Sequence, residues 1–438
     1  MPTAATIRSY LHERPWPLLL VWSCIALLPI GRTAEIPVAA MAVYGGAFWY
    51  KGTIQPLQGR YRSFTLAFFL FWIPMILSVP DAVEPSEALR VTALYLRFFF
   101  AGLFIVWAID SPEKRDLLLK FITYLLLFWV ADAIFQFFVG FNSFGYPLLH
   151  QLSGVFGRQL KLGITLAILS PFIISWSIER WPKWASLLIF TSIVFVIIAA
   201  GTRSSWVMFG VVMLAYAVSY LRVHREKATV LIFVALCTVA ATAAISYKYF
   251  DMVSRRVDQT LLLFSGDMEK LDTALSYRLP IWNGAWEMIK NHPVNGVGTR
   301  NYRDAYLAHV EQDDYYVEID VVPSHPHQYL LEIASETGLI GISGLVLFYL
   351  LLIRQWKAAS PLKRKQSFPV AVSMLALWFP INTHLAFYSS AAGQTVWWLA
   401  ALYFALMSIA TQEDGKTTPI IEPGNSTDNR ERGAPRDI

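Results

Sequence analysis

A chain of 438 residues that is 55% hydrophobic and 15% charged is too apolar for an ordinary soluble enzyme, whose charged fraction is about a quarter. Its net charge of +5 is spread over short loops between apolar runs, which argues against a nucleic-acid-binding surface and for a membrane-topology signal. The two cysteines, Cys24 and Cys237, lie inside apolar runs and supply neither a disulfide framework nor a cysteine metal site.

A helix that crosses a bilayer needs roughly 20 predominantly apolar residues. Taken in order, the hydropathy predicts about twelve such helices in an all-α polytopic membrane protein. They fall near 16–31, 35–50, 63–79, 90–109, 117–139, 161–178, 184–200, 205–221, 228–247, 338–355, 367–387 and 393–411. The first run lacks a small-residue cleavage site and is expected to remain as an anchor. The expected organisation is nine spans in 1–247, a large loop over 248–336, three spans in 337–411, and a polar, Pro- and Gly-containing tail over 412–438. That tail is expected to be disordered.

Alternate loops carry the basic residues: Lys51, Arg60 and Arg62; Lys114 and Arg115; Arg180 and Lys183; Arg222, Arg225 and Lys227; Lys357, Lys363, Arg364 and Lys365. The positive-inside rule puts those loops and both termini in the cytoplasm. The 248–336 segment then lies outside. Within it RRVDQTLLLFSG, the stretch from Arg278 to Asn291, and YRDAYLAHVEQ have helical spacing of apolar residues, as short amphipathic helices along a membrane surface do.

Three cations fall on the outer side against the rule: Arg158, Lys161 and Arg203. Arg203, in AAGTRSSW, reads either as an arginine snorkelling to lipid headgroups or as a phosphate clamp, since guanidinium binds phosphate oxygens through paired hydrogen bonds. Arg278, in SYRLPIW, is a second candidate. Arg158 and Lys161, at the start of a helix, are placed to complete a cationic pocket for an anion. Arg97 and Asp132 fall within the outer halves of their helices, either paired with each other or lining a polar cavity.

The sequence SHPHQ holds His325 and His327 at the entrance of a late apolar helix. The pair fits a metal site with Asp313, Asp314, Glu318 or Asp320, or a neutral histidine acting as general base. Glu332 and Glu336, four apart on the next helix, are placed to orient that region or cap its start.

TRSS after an apolar run, RLPIW in the large loop, and HQYLLEIASETGLIG together resemble O-antigen ligase, in the O-antigen ligase and polymerase superfamily, over roughly residues 154–344. The family's hallmark is a histidine followed by Asn, Ser or Gln, which falls on His327, with His325 its neighbour; the family's arginines fall on Arg203 and Arg278. The resemblance implies a metal-independent, inverting glycosyltransferase of GT-C-like helical architecture. It implies transfer of a polysaccharide from undecaprenyl pyrophosphate to a sugar of the lipid A core, at the periplasmic face of the inner membrane of a Gram-negative bacterium, with no cofactor. O-antigen polymerase and a protein O-oligosaccharyltransferase share the motif and stay open as alternatives. A lipid-linked glycan transporter would instead place cations along a central path, whereas here they crowd the outer side.

Overall fold

A computed structural model describes residues 15–409 apart from 224 and 383–385, with the side chains of 223–231 and 268–269 also excluded. The expected disordered tail over 412–438, and both termini, lie outside the described residues. Secondary structure among the described residues is helical apart from one bridge between Phe141 and Pro147.

Each predicted apolar window is occupied by a helix. The first nine are α1 (Trp16–Ala26), α2 (Glu35–Tyr50), α3 (Arg62–Leu77), α4 (Pro85–Ala108), α5 (Pro112–Val139), α6 (Leu162–Arg180), α7 (Lys183–Ala199), α8 (Arg203–Val223) and α9 (Arg225–Tyr249). The external segment carries α10 (Asp251–Leu261), α11 (Met268–Ala274), α12 (Arg278–Asn291), α13 (Tyr302–Tyr306) and α14 (Tyr315–Glu318), and the chain ends on α15 (Tyr329–Ala358), α16 (Pro361–Leu377) and α17 (Ser390–Ser408). Six of the described helices are long and apolar enough to cross a membrane: α4, α5, α6, α8, α9 from Ile232, and α15. The described residues are thus all-helical in their regular structure, and the chain has the composition of a polytopic membrane protein.

Three helices differ from expectation at their ends for identifiable reasons. Helix α1 stops at Ala26, before Pro29 and the left-handed Gly31. Helix α16 starts earlier, at Pro361 behind the capping hydroxyl of Ser360, and ends at Leu377, ahead of Pro380. Helix α15 starts at Tyr329, nine residues before the expected 338, and breaks at Gly338 (φ 62°, ψ −158°).

That break is filled by another stretch of backbone. In an unbroken helix Leu339 and Ile340 would donate to the carbonyls of Ser335 and Glu336. They donate instead to Pro293 (2.9 Å) and Val294 (3.1 Å), while Val297 and Gly298 donate to the freed carbonyls of Ser335 (2.8 Å) and Glu336 (3.1 Å). The two displaced donors and the two freed carbonyls all keep partners, as burial requires. A side chain at Gly338 or Gly296 would collide with the opposing backbone at 2.3 Å. The 293–298 segment is therefore threaded into α15 and fixed to it.

The core is a continuous aromatic and aliphatic mass. Helix α4 packs against α2 and α17, α3 against α15, and α6 against α5, α7, α8 and α16. Phe64, Phe68, Phe71, Phe348, Trp378 and Trp397 interlock through tilted and edge-on ring pairs. Connectivity collects the turns at 27–34, 78–84, 140–161 and 200–202, the 250–328 segment and residues 378–382 and 386–389 at one end of the bundle. Hydrogen bonds from Val83 to the Val297 carbonyl (3.0 Å) and from Gln159 to the Pro29 carbonyl (3.3 Å) join those turns directly.

Candidate active site

The SHPHQ loop is held in one shape by its neighbours. Trp282 of α12 donates its indole N–H to the Pro326 carbonyl at 3.1 Å. Gln328 caps α15 by accepting from the Leu331 N–H (2.8 Å), while its amide donates to the Pro380 carbonyl (2.8 Å). Between those two fixed points His327 adopts φ +53°, a left-handed conformation uncommon outside glycine and one that clusters at functional sites. Its ring centroid is 4.0 Å from that of His325, whose Nδ1 lies 2.9 Å from the Ser324 hydroxyl. Among the described residues no group hydrogen-bonds the His327 ring, which leaves both nitrogens for a ligand. Burial, and after it the positive charge of Arg278, push the His327 imidazole from its ordinary 6.5 down to about 4.

Arg278 is the first residue of α12 and is largely enclosed; burial lowers its pKa, Tyr316 opposes that shift, and Arg256 adds to it. It remains a cation, as guanidinium does in proteins. Arg203 is the first residue of α8, not a residue of the preceding turn. Its guanidinium donates to the Ala274 carbonyl and, at 2.8 Å, to the Ser276 hydroxyl. Arg203 thereby holds the turn that presents Arg278, and Arg256 and Arg278 both lie within electrostatic reach of it. A cluster of three arginines with no carboxylate bonded to any of their guanidinium groups, among the described residues, is a setting for an anionic ligand.

Arg158 and Lys161 sit at the same end of the bundle, because Gly163 of α6 packs against Thr202 and Ser205 at the start of α8. Both side chains are exposed, and among the described residues no hydrogen bond or ion pair joins them to Arg203, Arg278 or His327. The structure brings His325, His327, Arg203 and Arg278 into one neighbourhood and leaves Arg158 and Lys161 on its margin.

Arg97 and Asp132 do not meet. Arg97 pairs with Glu35 (3.5 Å) and donates to the Ser390 hydroxyl (2.6 Å), whereas Asp132 accepts from the Ser143 N–H (2.8 Å) and its hydroxyl. Asp314, one of the acidic residues considered for a metal site, is committed to the Tyr306 hydroxyl (3.0 Å) and to capping α14. Among the described residues no three His, Cys, Asp or Glu side chains gather as a metal site requires.

Sequence reasoning missed Arg256, Asp272 and the capping role of Gln328. The carboxylate of Asp272 accepts from the Leu279 N–H (3.2 Å) and its carbonyl from the Tyr277 N–H (2.9 Å), which closes the turn before Arg278. Only the Gln328 role had a visible signal: Asn, Ser and Gln, the residues that follow the family histidine, carry an oxygen able to cap a helix. Glu332 and Glu336 are fully buried and bind backbone rather than substrate. Glu332 accepts from the N–H groups of Phe387 (2.8 Å) and Tyr388 (3.2 Å), and Glu336 from those of Arg300 (2.6 Å) and Tyr302 (3.4 Å). The two carboxylates fasten two distant segments to the helix that follows His327.

Below this site a cavity of about 1640 Å³ opens between α6, α8, α15 and α16, lined by apolar residues such as Phe172, Leu214 and Leu352. It reaches Trp378 and Phe379, next to the Pro380 carbonyl that Gln328 engages. Its opposite end carries Arg180, Arg222, Arg364 and Lys365.

The chain is similar over 312 residues, at 23% identity, to a protein of Rickettsia conorii that bears the provisional name polysaccharide ligase; the match covers 70% of this chain and 71% of that protein. It is 24% identical over 301 residues to an uncharacterized protein of Haemophilus influenzae, covering 66% and 70%. Residues 184–346 match the family model described as O-antigen ligase, a span that contains Arg203, Arg278, His325 and His327. Over that span the resemblance carried by TRSS, RLPIW and HQ holds, and residues 184–346 are an O-antigen ligase family segment.

Proposed function

We propose that this protein is an O-antigen ligase, a glycosyltransferase that moves O-antigen polysaccharide from undecaprenyl pyrophosphate to a sugar of the lipid A core in lipopolysaccharide biosynthesis. The observation that carries the reading is a histidine without a hydrogen-bond partner among the described residues, beside a cluster of arginines inside the segment that matches the family. His327 takes the proton of the acceptor hydroxyl as that oxygen forms its bond to the anomeric carbon. The bond from that carbon to the pyrophosphate oxygen breaks on the opposite face, so the configuration inverts. The pyrophosphate leaves with the electron pair, and Arg203 and Arg278 stabilise the charge it gains without a metal or other cofactor. Arg158 and Lys161 attract the anionic donor to that end of the bundle.

The apolar cavity beside Phe379 suits the donor's isoprenoid tail, which would leave its pyrophosphate beside Gln328 and His327. Exposed Leu261, Phe264 and Trp286 on the external segment fit a cap lying on the membrane surface. In this reading the protein is a multi-pass, GT-C-like enzyme of the bacterial inner membrane, its site is periplasmic, and both termini are cytoplasmic.

Reconstitution with a polysaccharide on undecaprenyl pyrophosphate, offered lipid A core, a second lipid-linked glycan, or a protein as acceptor, tests the reading. Transfer to lipid A core is expected, and His327→Ala is expected to abolish it while the protein still inserts and folds. Transfer to the lipid-linked glycan or to protein alone would make the enzyme a polymerase or an oligosaccharyltransferase. Undiminished transfer by His327→Ala would remove the proposed base.

A further inference from the structure

Tyr277 adopts a conformation that the proposed transfer does not use. It sits at φ 56°, ψ 43°, directly after Ser276 at φ 59°. Two successive non-glycine residues in the left-handed region are uncommon, and such strain persists only where surrounding structure enforces it. Here the enforcement is explicit. The Tyr277 N–H donates to the Asp272 carbonyl (2.9 Å), the Ser276 N–H to Thr273 (3.0 Å), and Arg203 grips the turn at Ala274 and Ser276.

The result is a tyrosine ring laid flat on another. Tyr277 and Tyr315 stack with centroids 4.4 Å apart and planes 6° from parallel, and Tyr316 buttresses Tyr315 edge-on at 5.1 Å and 90°. Tyr315 covers one face of Tyr277, yet the residue remains 39% exposed. The next residue in the chain is Arg278, and Asp272 closes the same turn. A partly exposed aromatic ring in the turn that carries Arg278 and Asp272 has the chemistry that holds a sugar ring, whose C–H groups lie on a π face while its hydroxyls meet polar groups nearby.

We propose that Tyr277, backed by Tyr315, is a stacking platform for a saccharide ring of the glycan substrates. The proposal rests on the transferase reading for its ligand and extends it to a residue that neither donates nor accepts a proton. The ring belongs either to the donor polysaccharide or to the acceptor core, and measurement separates the two.

Steady-state transfer by Tyr277→Phe and Tyr277→Leu, with KM taken for donor and acceptor in turn while the other saturates, is the first arm. The Phe variant is expected to behave like the unaltered protein. The Leu variant should raise KM for one glycan substrate by about 3- to 10-fold with little change in kcat, because aromatic contacts contribute on that scale. The substrate affected is the platform's occupant. The second arm needs no turnover: saturation-transfer NMR with core oligosaccharide freed of lipid A, and with delipidated O-antigen polysaccharide. Signals from one of these with the unaltered protein and with Phe, lost with Leu, support the platform even if transfer is not observed, in which case only the transferase reading falls. Unchanged KM values and unchanged saturation transfer in the Leu variant overturn the platform and leave the transferase standing. A fall in kcat and unfolding temperature with both KM values constant also overturns it, by assigning the stack to holding the turn alone.

Discussion

An imidazole that titrates near 4 is neutral at pH 7, so His327 is free to accept a proton but attracts one weakly. The causes are burial first and the Arg278 charge second, and an anionic donor acts on the second. Pyrophosphate beside Arg278 would offset that charge and add negative charge of its own, which favours the imidazolium and raises the pKa of His327. The histidine would thus become a stronger base when the donor is in place. The sign can be checked through pH–rate profiles, because kcat/KM reports the free enzyme and kcat the loaded one. As pH falls, kcat/KM should hold until about pH 4, where free His327 becomes protonated. The acid limb of kcat should lie at higher pH. Coincident acid limbs would mean that the donor's charge does not sit beside His327. The same shift gives a stability effect of defined sign. An unfolded histidine binds a proton below about 6.5 while folded His327 does not until about 4, so this residue lowers folding stability progressively as pH falls between those values.

At the scale of elements, the break in α15 shows what a hydropathy reading reaches and where it stops. Gly338 takes a backbone conformation essentially closed to other residues, and a methyl group there would meet the Val294 carbonyl carbon and oxygen at 2.3 Å. Gly338→Ala should therefore cost at least about 2 kcal/mol and lower the unfolding temperature in detergent, with α15 and the 293–298 segment separating. Gly210→Ala on α8, where a methyl group meets nothing within 4 Å, is the control and should leave the unfolding temperature unchanged or slightly higher. Equal behaviour of the two variants would show that the threaded segment is not fixed to α15. The apolar half of α15 was legible because a run such as LIGISGLVLFYLLLI has one reading in a membrane protein. Its first nine residues were not, because their helix holds Glu332 and Glu336 in full burial. Those carboxylates are satisfied by N–H groups 34 to 56 positions away in the chain, which local pattern does not contain. The positions of His327, Arg203 and Arg278 were likewise readable as motifs. The turn that Arg203 holds was not, since nothing in the letters of Ser276 and Tyr277 announces a left-handed pair.

The whole molecule keeps its candidate chemistry at one end, whereas ion pairs occur at both, Arg97 with Glu35 at that end and three others opposite it. Lys114 with Asp110 (2.9 Å), Arg115 with Asp116 (2.9 Å) and Lys365 with Glu179 (3.6 Å) lie around the turns opposite the external segment. The arginine cluster, the histidines and the threaded segment occupy the other end. A ligase whose acceptor is built on lipid A core needs that second end to face the periplasm, and the basic loops predict this orientation. Impermeant maleimide labelling of intact cells decides the matter in a Cys237→Ser background, where the remaining Cys24 is buried and out of reach. Asp313, exposed in the external segment, is one reporter position, and Lys183, exposed at the start of α7 at the opposite end, is the other. Asp313→Cys should label in intact cells, and Lys183→Cys only after the membrane is opened. The reverse pattern would put the histidine and arginine site in the cytoplasm, away from a periplasmic acceptor. It would refute the ligase reading even with every residue of the site in place, because the same geometry serves a different acceptor on each side of a membrane.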